Sequence, residues 1–423
     1  MIGQSRLLPK FIYRHFIHDS LYRNSIYLLI NLAVTAITGF LYVMVIAHFF
    51  TQRAVGYSTA LVSALGLATT LSNFGINRTI VRFMGTSTNK SQDLITKLLV
   101  VSLGSIVIGF GLSLFFKHFG IKQASSLTSV IFILTVFVMS VKGLFDNLFI
   151  AVQRASGTLM ENSLYSIVRV IFPFAVLSGG FLGIFSAQLA GALIAVTASL
   201  LLALRLKFKL ITPPSRNSLK GKWRFAFGSY TSDTIGNLPS TILPIIVVAK
   251  LGPVSGALWY AAMQIITFLL TISSSINQAM FAEMANHPDN ILKIVRKAAY
   301  AMYGLVIPVS IIVFIMAHYI LVIFSKSYTA AETVLRLMIV FALIGVANYI
   351  TGSILSLYKK VAYLTVVNII NALVVIIYCL SFAHNLNGIA IGWMLGEITN
   401  VVLFVGGALV VMRKNRISVI AST

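Results

Sequence analysis

The chain has 423 residues, of which 58% are hydrophobic and 10% charged, with a mean hydropathy of +0.95. That mix excludes an ordinary soluble globular protein and points to an all-α polytopic membrane protein, because apolar runs long enough to cross about 30 Å of hydrocarbon as helices recur along the whole length. The 32 Lys and Arg against 9 Asp and Glu, a net charge of +23, would suggest nucleic acid in a soluble protein; here the positions of the charges give another reading.

In chain order, residues 1–22 place Lys10, Arg14 and His18 on one helical stripe and Leu8, Ile12 and Phe16 on another. That pattern suits a helix lying on the inner leaflet, or a partly ordered tail. The first apolar run is too long for a removable signal peptide and lacks a small-residue cleavage site, so it is expected to stay. Apolar runs bounded by charge, Gly, Pro or Asn predict twelve spans, near 24–50, 55–80, 95–116, 127–151, 160–181, 184–205, 226–250, 255–282, 298–324, 330–357, 361–383 and 388–411. The longest polar connection, KFKLITPPSRNSLKGKWR at 207–224, divides six spans from six. The expected organisation is an interfacial segment 1–22, a first lobe 23–206, a linker 207–224, a second lobe 225–412 and a tail 413–423. The one cysteine, Cys379, lies inside an apolar run and has no partner for a disulfide within the chain.

Twelve spans put both termini on one side. Of the 32 basic residues, 24 fall on that side, 5 on the other (Arg53, Lys117, Lys122, Lys250 and Lys326), and Lys142, Arg169 and Arg336 within spans. By the positive-inside rule both termini are expected in the cytoplasm, and most of the net charge is topology rather than a nucleic-acid surface.

The midpoint linker invites a search for repetition. Residues 45–60 and 71–79 align with 247–262 and 272–279 at an offset of 200 to 203, which sets Asn77 on Asn277 and Arg78 on Gln278. Two six-helix halves repeated in the same sense imply a pseudo-twofold axis along the membrane normal with a site between them.

Residues 23–84 carry an Arg-Asn start at 23 and 24, Val-Gly-Tyr at 55–57 after the first external loop, and Ser-Asn-Phe-Gly-Ile running into basic residues at 72–82. This stretch resembles the N-terminal pattern of polysaccharide and O-antigen (Wzx-type) flippases of the MOP superfamily, with its MATE-like fold. The resemblance implies two six-helix bundles forming a V, with spans 1, 2, 7 and 8 facing a central cavity. It also implies flipping of a lipid-linked (polyprenyl-diphosphate) oligosaccharide across the cytoplasmic membrane by alternating access. Where relatives carry a Leu-Gly-Pro-like turn in the first external loop, this sequence reads HFFTQRAVG; the second half has LGP at 251–253. The partners implied are the lipid-linked oligosaccharide, a coupling proton or sodium ion, membrane lipids, and glycan polymerase or glycosyltransferases.

Charged side chains at membrane depth cost several kcal/mol unless paired or facing water, so each is a functional candidate. Counting along span 2 places Arg78 near the inner edge of the hydrocarbon and Arg82 beyond it. Arg78 either snorkels or meets the substrate diphosphate, for which guanidinium geometry suits. Asp146, Lys142 and Arg169 fall at depths of about 12, 18 and 16 Å, as an ion cluster pinning spans 4 and 5 or as a positive site for a phosphate or an acidic sugar. Asp233, followed by Pro239 and Pro244, and Glu397 are candidates with Asp146 for the coupling ion, or else packing carboxylates, with Arg336 a possible partner of Asp233. Glu161 and Glu283 fall near the inner ends of spans and read as interfacial. Asn31, Asn77, Gln264, Asn277 and Gln278 have the chemistry to bond sugar hydroxyls, or to join helices.

No P-loop motif occurs and no His/Cys/Glu cluster has metal-ligand spacing, so neither catalysis nor a cofactor is expected. A cation-coupled MATE-type multidrug exporter is the alternative on the same fold; its substrates favour a cavity with net negative charge. A membrane-embedded glycosyltransferase would need a large external loop with catalytic acids, and the external loops here are short.

Overall fold

The computed structural model describes residues 20–420 apart from 122 and 216–217, and leaves out the side chains of 20–22, 224, 229, 232, 233, 288 and 413–420. The surface helix expected over residues 1–22 therefore lies almost wholly outside the described residues. Among those described, twelve long helices follow one another: α1 (Ser20–Phe49), α2 (Gln52–Ser72), α3 (Lys90–Ser113), α4 (Ser126–Ala151), α5 (Ala155–Ala175), α6 (Gly180–Arg205), α7 (Trp223–Leu251), α8 (Pro253–Asn286), α9 (Ile291–Ile315), α10 (Glu332–Leu357), α11 (Val361–Ser381) and α12 (Leu386–Ile420). Eleven are long and apolar enough to cross a membrane on hydropathy alone. The exception, α5, is as long as α2 and α11, and its hydropathy is lowered by Glu161, Asn162 and Arg169.

Local chemistry sets several boundaries. Thr51 caps α2 by accepting from the Ala54 amide, Asn89 caps α3 through Gln92, and Ser125 with Thr128 forms a reciprocal capping box on α4. Between α7 and α8 the turn is made by Gly252 at φ 85° followed by Pro253 in the first helical turn, where a proline loses no hydrogen bond.

Two predicted spans are broken. The expected span 55–80 ends at Ser72; Phe74 and Gly75 take φ of 46° and 74°, and a short helix, Ile76–Phe83, leaves in a new direction. Gly75 is needed twice, for its left-handed backbone and because a methyl group there would lie 2.2 Å from the Ala226 carbonyl oxygen of α7. The expected span 298–324 is divided into α9 and a short helix, Ala317–Phe324.

The packing repeats with a period of six helices. α1 packs on α5 as α7 packs on α11, α4 on α6 as α10 on α12, and α5 on α6 as α11 on α12. The two bundles meet along a seam made by α1, α2, α7 and α8. At the end far from the termini, Gln52 Nε2 bonds the Ser327 carbonyl at 3.0 Å and the Phe40 and Phe324 rings meet at 5.1 Å. At the termini end, Tyr230 donates to the Leu71 carbonyl at 3.2 Å, and Arg82 lies 4.3 Å above the Phe225 ring.

The connection between α6 and α7 is tied to α3. Gln92 Nε2 bonds the Pro213 carbonyl at 3.1 Å, and the Lys209 and Ser215 amides bond Ser91 and Thr96 at 2.9 Å each. Buried Asp93 is the centre of this clamp. Fully buried Lys97 reaches it at 2.6 Å, Ser218 donates to it, and Lys222, the residue before α7, stands at 3.8 Å.

Candidate functional site

Arg169 sits at the seam. Its guanidinium carbon lies 4.6 Å from the centre of the Tyr42 ring of α1 and 5.4 Å from that of Tyr165, one turn back on α5, an arrangement in which ring faces attract the cation. Gln188 of α6 holds both rings in place: Tyr165 and Gln188 Oε1 are bonded, and Gln188 Nε2 donates to the Tyr42 hydroxyl at 3.4 Å. From the other bundle comes Gln264 of α8. A methyl group built on Gly39 of α1 would lie 2.8 Å from Gln264 Nε2 and 3.7 Å from a terminal nitrogen of Arg169, so the missing side chain is what lets the two converge.

Among the described residues no carboxylate pairs with Arg169, and its Nε has no hydrogen-bond partner. A guanidinium faced by rings and an amide has the chemistry to pair with an anion.

Lys142 is engaged differently. Its ammonium bonds Asp146 at 2.8 Å and Asn162 at 2.6 Å, and Asn162 Nδ2 returns to the second Asp146 oxygen at 3.1 Å. With Thr158 donating to the Asp146 carbonyl at 3.1 Å, this closed network pins α4 to α5. Lys142 and Arg169 share the Tyr165 ring, each 5.4 Å from its centre. Glu161, expected at the interface, is instead fully buried beside Lys142 and Asp146, and neither of its oxygens has a hydrogen-bond partner. The helix begins at Ala155, which sets Glu161 nearly two turns inside it. Glu283 is exposed near Lys293 and Lys297.

A cavity of about 420 Å³ is lined by Leu32 of α1 and by residues of α7, α8, α10, α11 and α12. It adjoins one of about 220 Å³ between α8, α10 and α12; both volumes are on the scale of a small-ligand site. Glu397 lines both and accepts a 2.6 Å bond from Asn348 Nδ2. Gln264 of the Arg169 group is followed one turn later by Thr267 in the cavity wall, but neither Gln264 nor Arg169 lines the cavity.

The other predicted residues are dispersed. Arg78 is exposed on the short helix Ile76–Phe83, whose opposite face, Ile76, Thr79 and Ile80, is buried; it lines neither cavity. Asn77 turns its amide toward Gly143 of α4, and Asn277 accepts from Ser353 of α10 at 2.8 Å. The repeat pairs these two asparagines and they occupy matching places, with Asn277 joining helices. Asn31 is half-buried with its Oδ1 unpartnered, and Gln278 is exposed. The Asp233 side chain lies outside the described residues, and Arg336 pairs with Glu332 on its own helix at 2.8 Å.

A sequence model described as polysaccharide biosynthesis protein matches residues 21–281, more than half of the chain. The chain belongs to the polysaccharide biosynthesis protein family. A second model, MatE, matches 238–380 within the other bundle. No curated protein sequence matches. Among solved structures, an inward-facing multidrug resistance MATE transporter of the MOP superfamily superposes with a TM-score of 0.67 at 17% identity, over 92% of this chain and 96% of that one. The lipid II flippase MurJ in an inward closed conformation gives 0.71 at 13% identity, over 89% and 86%. A MOP transporter from Pyrococcus furiosus gives 0.61 at 16%, over 92% and 95%. At these identities the likeness establishes the fold, the paired six-helix architecture that the resemblance implied.

For this member of the polysaccharide biosynthesis family, residue types alone missed Tyr42, Tyr165, Asn348 and Trp393. Aromatic residues in apolar runs carry no distinguishing signal. Gln188, an amide deep in span 6, did carry one, because a polar side chain at that depth needs a partner.

Proposed function

We propose that this chain is a flippase for a lipid-linked oligosaccharide, a glycan on a polyprenyl diphosphate, which it carries across the cytoplasmic membrane by alternating access with both termini in the cytoplasm. The observation that carries the reading is Arg169, a seam cation with no carboxylate paired to it among the described residues, packed against Gln264 of α8, the helix that also walls a cavity of amides, hydroxyls and rings. The guanidinium takes the diphosphate, whose oxygens match its planar donors. The cavity takes the sugars, whose hydroxyls match its amides and whose C–H faces match Trp393 and Tyr349. Lys142, already satisfied by Asp146 and Asn162, positions α5 and thereby Arg169. Glycosyltransferases that build the glycan and a polymerase that extends it are the enzymes that would act on either side of this step.

Deletion of the gene tests the proposal. Polyprenyl-diphosphate glycan should accumulate at the inner face and surface polysaccharide should be lost, with both reversed by the intact gene; unchanged glycans in the deletion strain would refute it. The second reading, a cation-coupled multidrug exporter, is favoured by Glu397 in the cavity wall and by the MatE match over 238–380. Against it stands Arg169, which repels a cationic cargo at the same seam.

A further inference from the structure

We propose that Lys90, Arg154 and Lys207, at the termini end of the first bundle, hold the headgroup of an anionic phospholipid. The site lies apart from the seam: none of its lining residues belongs to α1, α2, α7 or α8. The inference therefore goes beyond the flippase reading and does not depend on it.

Three parts of the chain converge here on a cavity of about 240 Å³. Lys90 opens α3, Arg154 stands in the turn from α4 to α5, and Lys207 follows the C-cap of α6. All three are exposed and line the cavity. Among the described residues no carboxylate lines it with them, and none of the three is in an ion pair. Asp93, one turn along α3 from Lys90, is already taken by Lys97 and Ser218. The positive-inside rule asks only that such cations lie at this end of the bundle. It does not gather three of them around one cavity, where they repel each other.

Helix ends account for two of the cations and not for the third. α4 closes with the Arg154 amide on the Phe149 carbonyl at 2.7 Å and the Gln153 amide on that of Ile150 at 3.1 Å. α6 closes in the same way, with Phe208 on Ala203 at 3.0 Å and Lys207 on Leu204 at 2.9 Å. Cations beside these carbonyl ends are favoured by the helix dipole. Lys90 is placed in the opposite sense, as the first residue of α3, where the dipole disfavours positive charge. An anion seated among the three relieves both the repulsion and the misplaced charge. Ser91 adds a donor, because its Oγ accepts the Lys209 amide at 2.9 Å and its hydroxyl proton is left for the anion.

The remaining lining identifies the carrier of that anion. Val152, Leu206 and Phe208 form an apolar side of the cavity, and α6 leads away from it with Leu193, Leu201 and Leu204 exposed along one stripe. In a chain that crosses the membrane such a stripe meets acyl chains. A phosphate at the membrane surface with its acyl chains along α6 uses both parts of the site, whereas a soluble phosphate uses only the charged part. Basic pockets between the ends of membrane helices suit anionic headgroups, at about fivefold in affinity per cation.

The test uses the purified full-length chain in dodecyl maltoside micelles, with dioctanoyl phosphatidylglycerol, dioctanoyl phosphatidylcholine and inorganic phosphate as probes and binding followed by calorimetry. Phosphatidylglycerol should bind about tenfold or more tighter than phosphatidylcholine, and inorganic phosphate should not displace it. In the triple variant Lys90→Gln, Arg154→Gln, Lys207→Gln the two lipids should bind within about twofold of each other. The triple variant Lys293→Gln, Arg296→Gln, Lys297→Gln, which removes the same charge from the start of α9, should keep the wild-type preference. The lipid ranking is read on the wild-type chain, so it does not depend on either variant folding. Equal binding of the two lipids, no binding of either, or an undiminished preference in the first variant overturns the site. An equal loss of preference in both variants also overturns it and assigns the preference to overall surface charge. Phosphate binding as tightly as phosphatidylglycerol overturns the lipid and assigns the cavity to a free anion. None of these results touches the flippase reading, which the deletion experiment decides through accumulated lipid-linked glycan.

Discussion

Gly56 of α2 and Gly256 of α8 touch across the seam: a methyl group on Gly256 would lie 3.6 Å from the Gly56 Cα. The first turns of α2 and α8 thus pack backbone to backbone, as small residues allow between membrane helices, and the pseudo-twofold axis passes close to this contact. Alternating access requires this end of the seam to close in one state and part in the other.

The two glycines are not equally tolerant. A methyl group on Gly56 would lie 1.7 Å from the Pro253 carbonyl oxygen, which is backbone, whereas one on Gly256 meets a Val248 side-chain methyl at 2.3 Å. Gly56→Ala should therefore cost about 1–3 kcal/mol of the closed far end, and Gly256→Ala less. A disulfide between Gln52→Cys and Ser327→Cys, whose parent residues bond across this end, reports closure. Crosslinking should fall markedly with Gly56→Ala and mildly with Gly256→Ala, and equal crosslinking in both would refute the ranking.

Helix number and order were legible because twelve apolar runs separated by charge leave little freedom, and the 24-to-5 split of basic residues is a count that a missed span would scramble. The break at Asn73–Gly75 was not legible. Phe74 and Gly75 continue an apolar run, and only the approach of Ala226 from the other bundle shows why the backbone turns left-handed there. That break redirected Arg78 onto an exposed face and left Arg169 as the seam cation. The α4–α5 network followed from i, i+4 spacing of Lys142 and Asp146, while Glu161 was misplaced because depth along a helix does not say which face is inward. The wall around Glu397 depends on Asn348, 49 residues away, a pairing no local pattern announces.

Arg169 is expected to contribute charge and shape together. In proteoliposomes flipping a lipid-linked glycan, Arg169→Ala should reduce the rate about a hundredfold, the scale of a lost charge-assisted pair of about 2–3 kcal/mol. Arg169→Lys should recover only part, because an ammonium neither stacks flat on Tyr42 nor bonds two phosphate oxygens in one plane. Full activity of Arg169→Ala in a chain that expresses normally would remove Arg169 from the site.

The Lys142–Asp146–Asn162 network predicts a non-additive stability pattern. Lys142→Met alone strands the partly exposed Asp146 carboxylate and should destabilise the chain by about 1–3 kcal/mol, whereas Asp146→Leu strands the buried Lys142 ammonium and should cost about 3–5 kcal/mol. The double variant removes both charges and should recover most of the loss. Thermal unfolding in detergent measures all three, and strictly additive losses would show that the two side chains do not act as a pair.

Asp93 should decide whether the linker stays on the first bundle. It holds fully buried Lys97 at 2.6 Å and bonds Ser218 of the linker, with Lys222 at 3.8 Å. Asp93→Asn leaves the Lys97 charge buried without a counterion, a loss of about 3–5 kcal/mol, and removes the anchor for residues 213–222. Trypsin, which cuts after Lys220 and Lys222, should then divide the chain into its two halves about tenfold faster than wild type, the ratio expected for a local opening made about 1.4 kcal/mol easier. Lys222→Ala isolates the weaker contact: its side chain is partly exposed and its pairing long, so stability should change by no more than about 1 kcal/mol. Cleavage of Asp93→Asn at the wild-type rate would show that the backbone bonds of Gln92, Ser91 and Thr96 hold the linker without the buried charge.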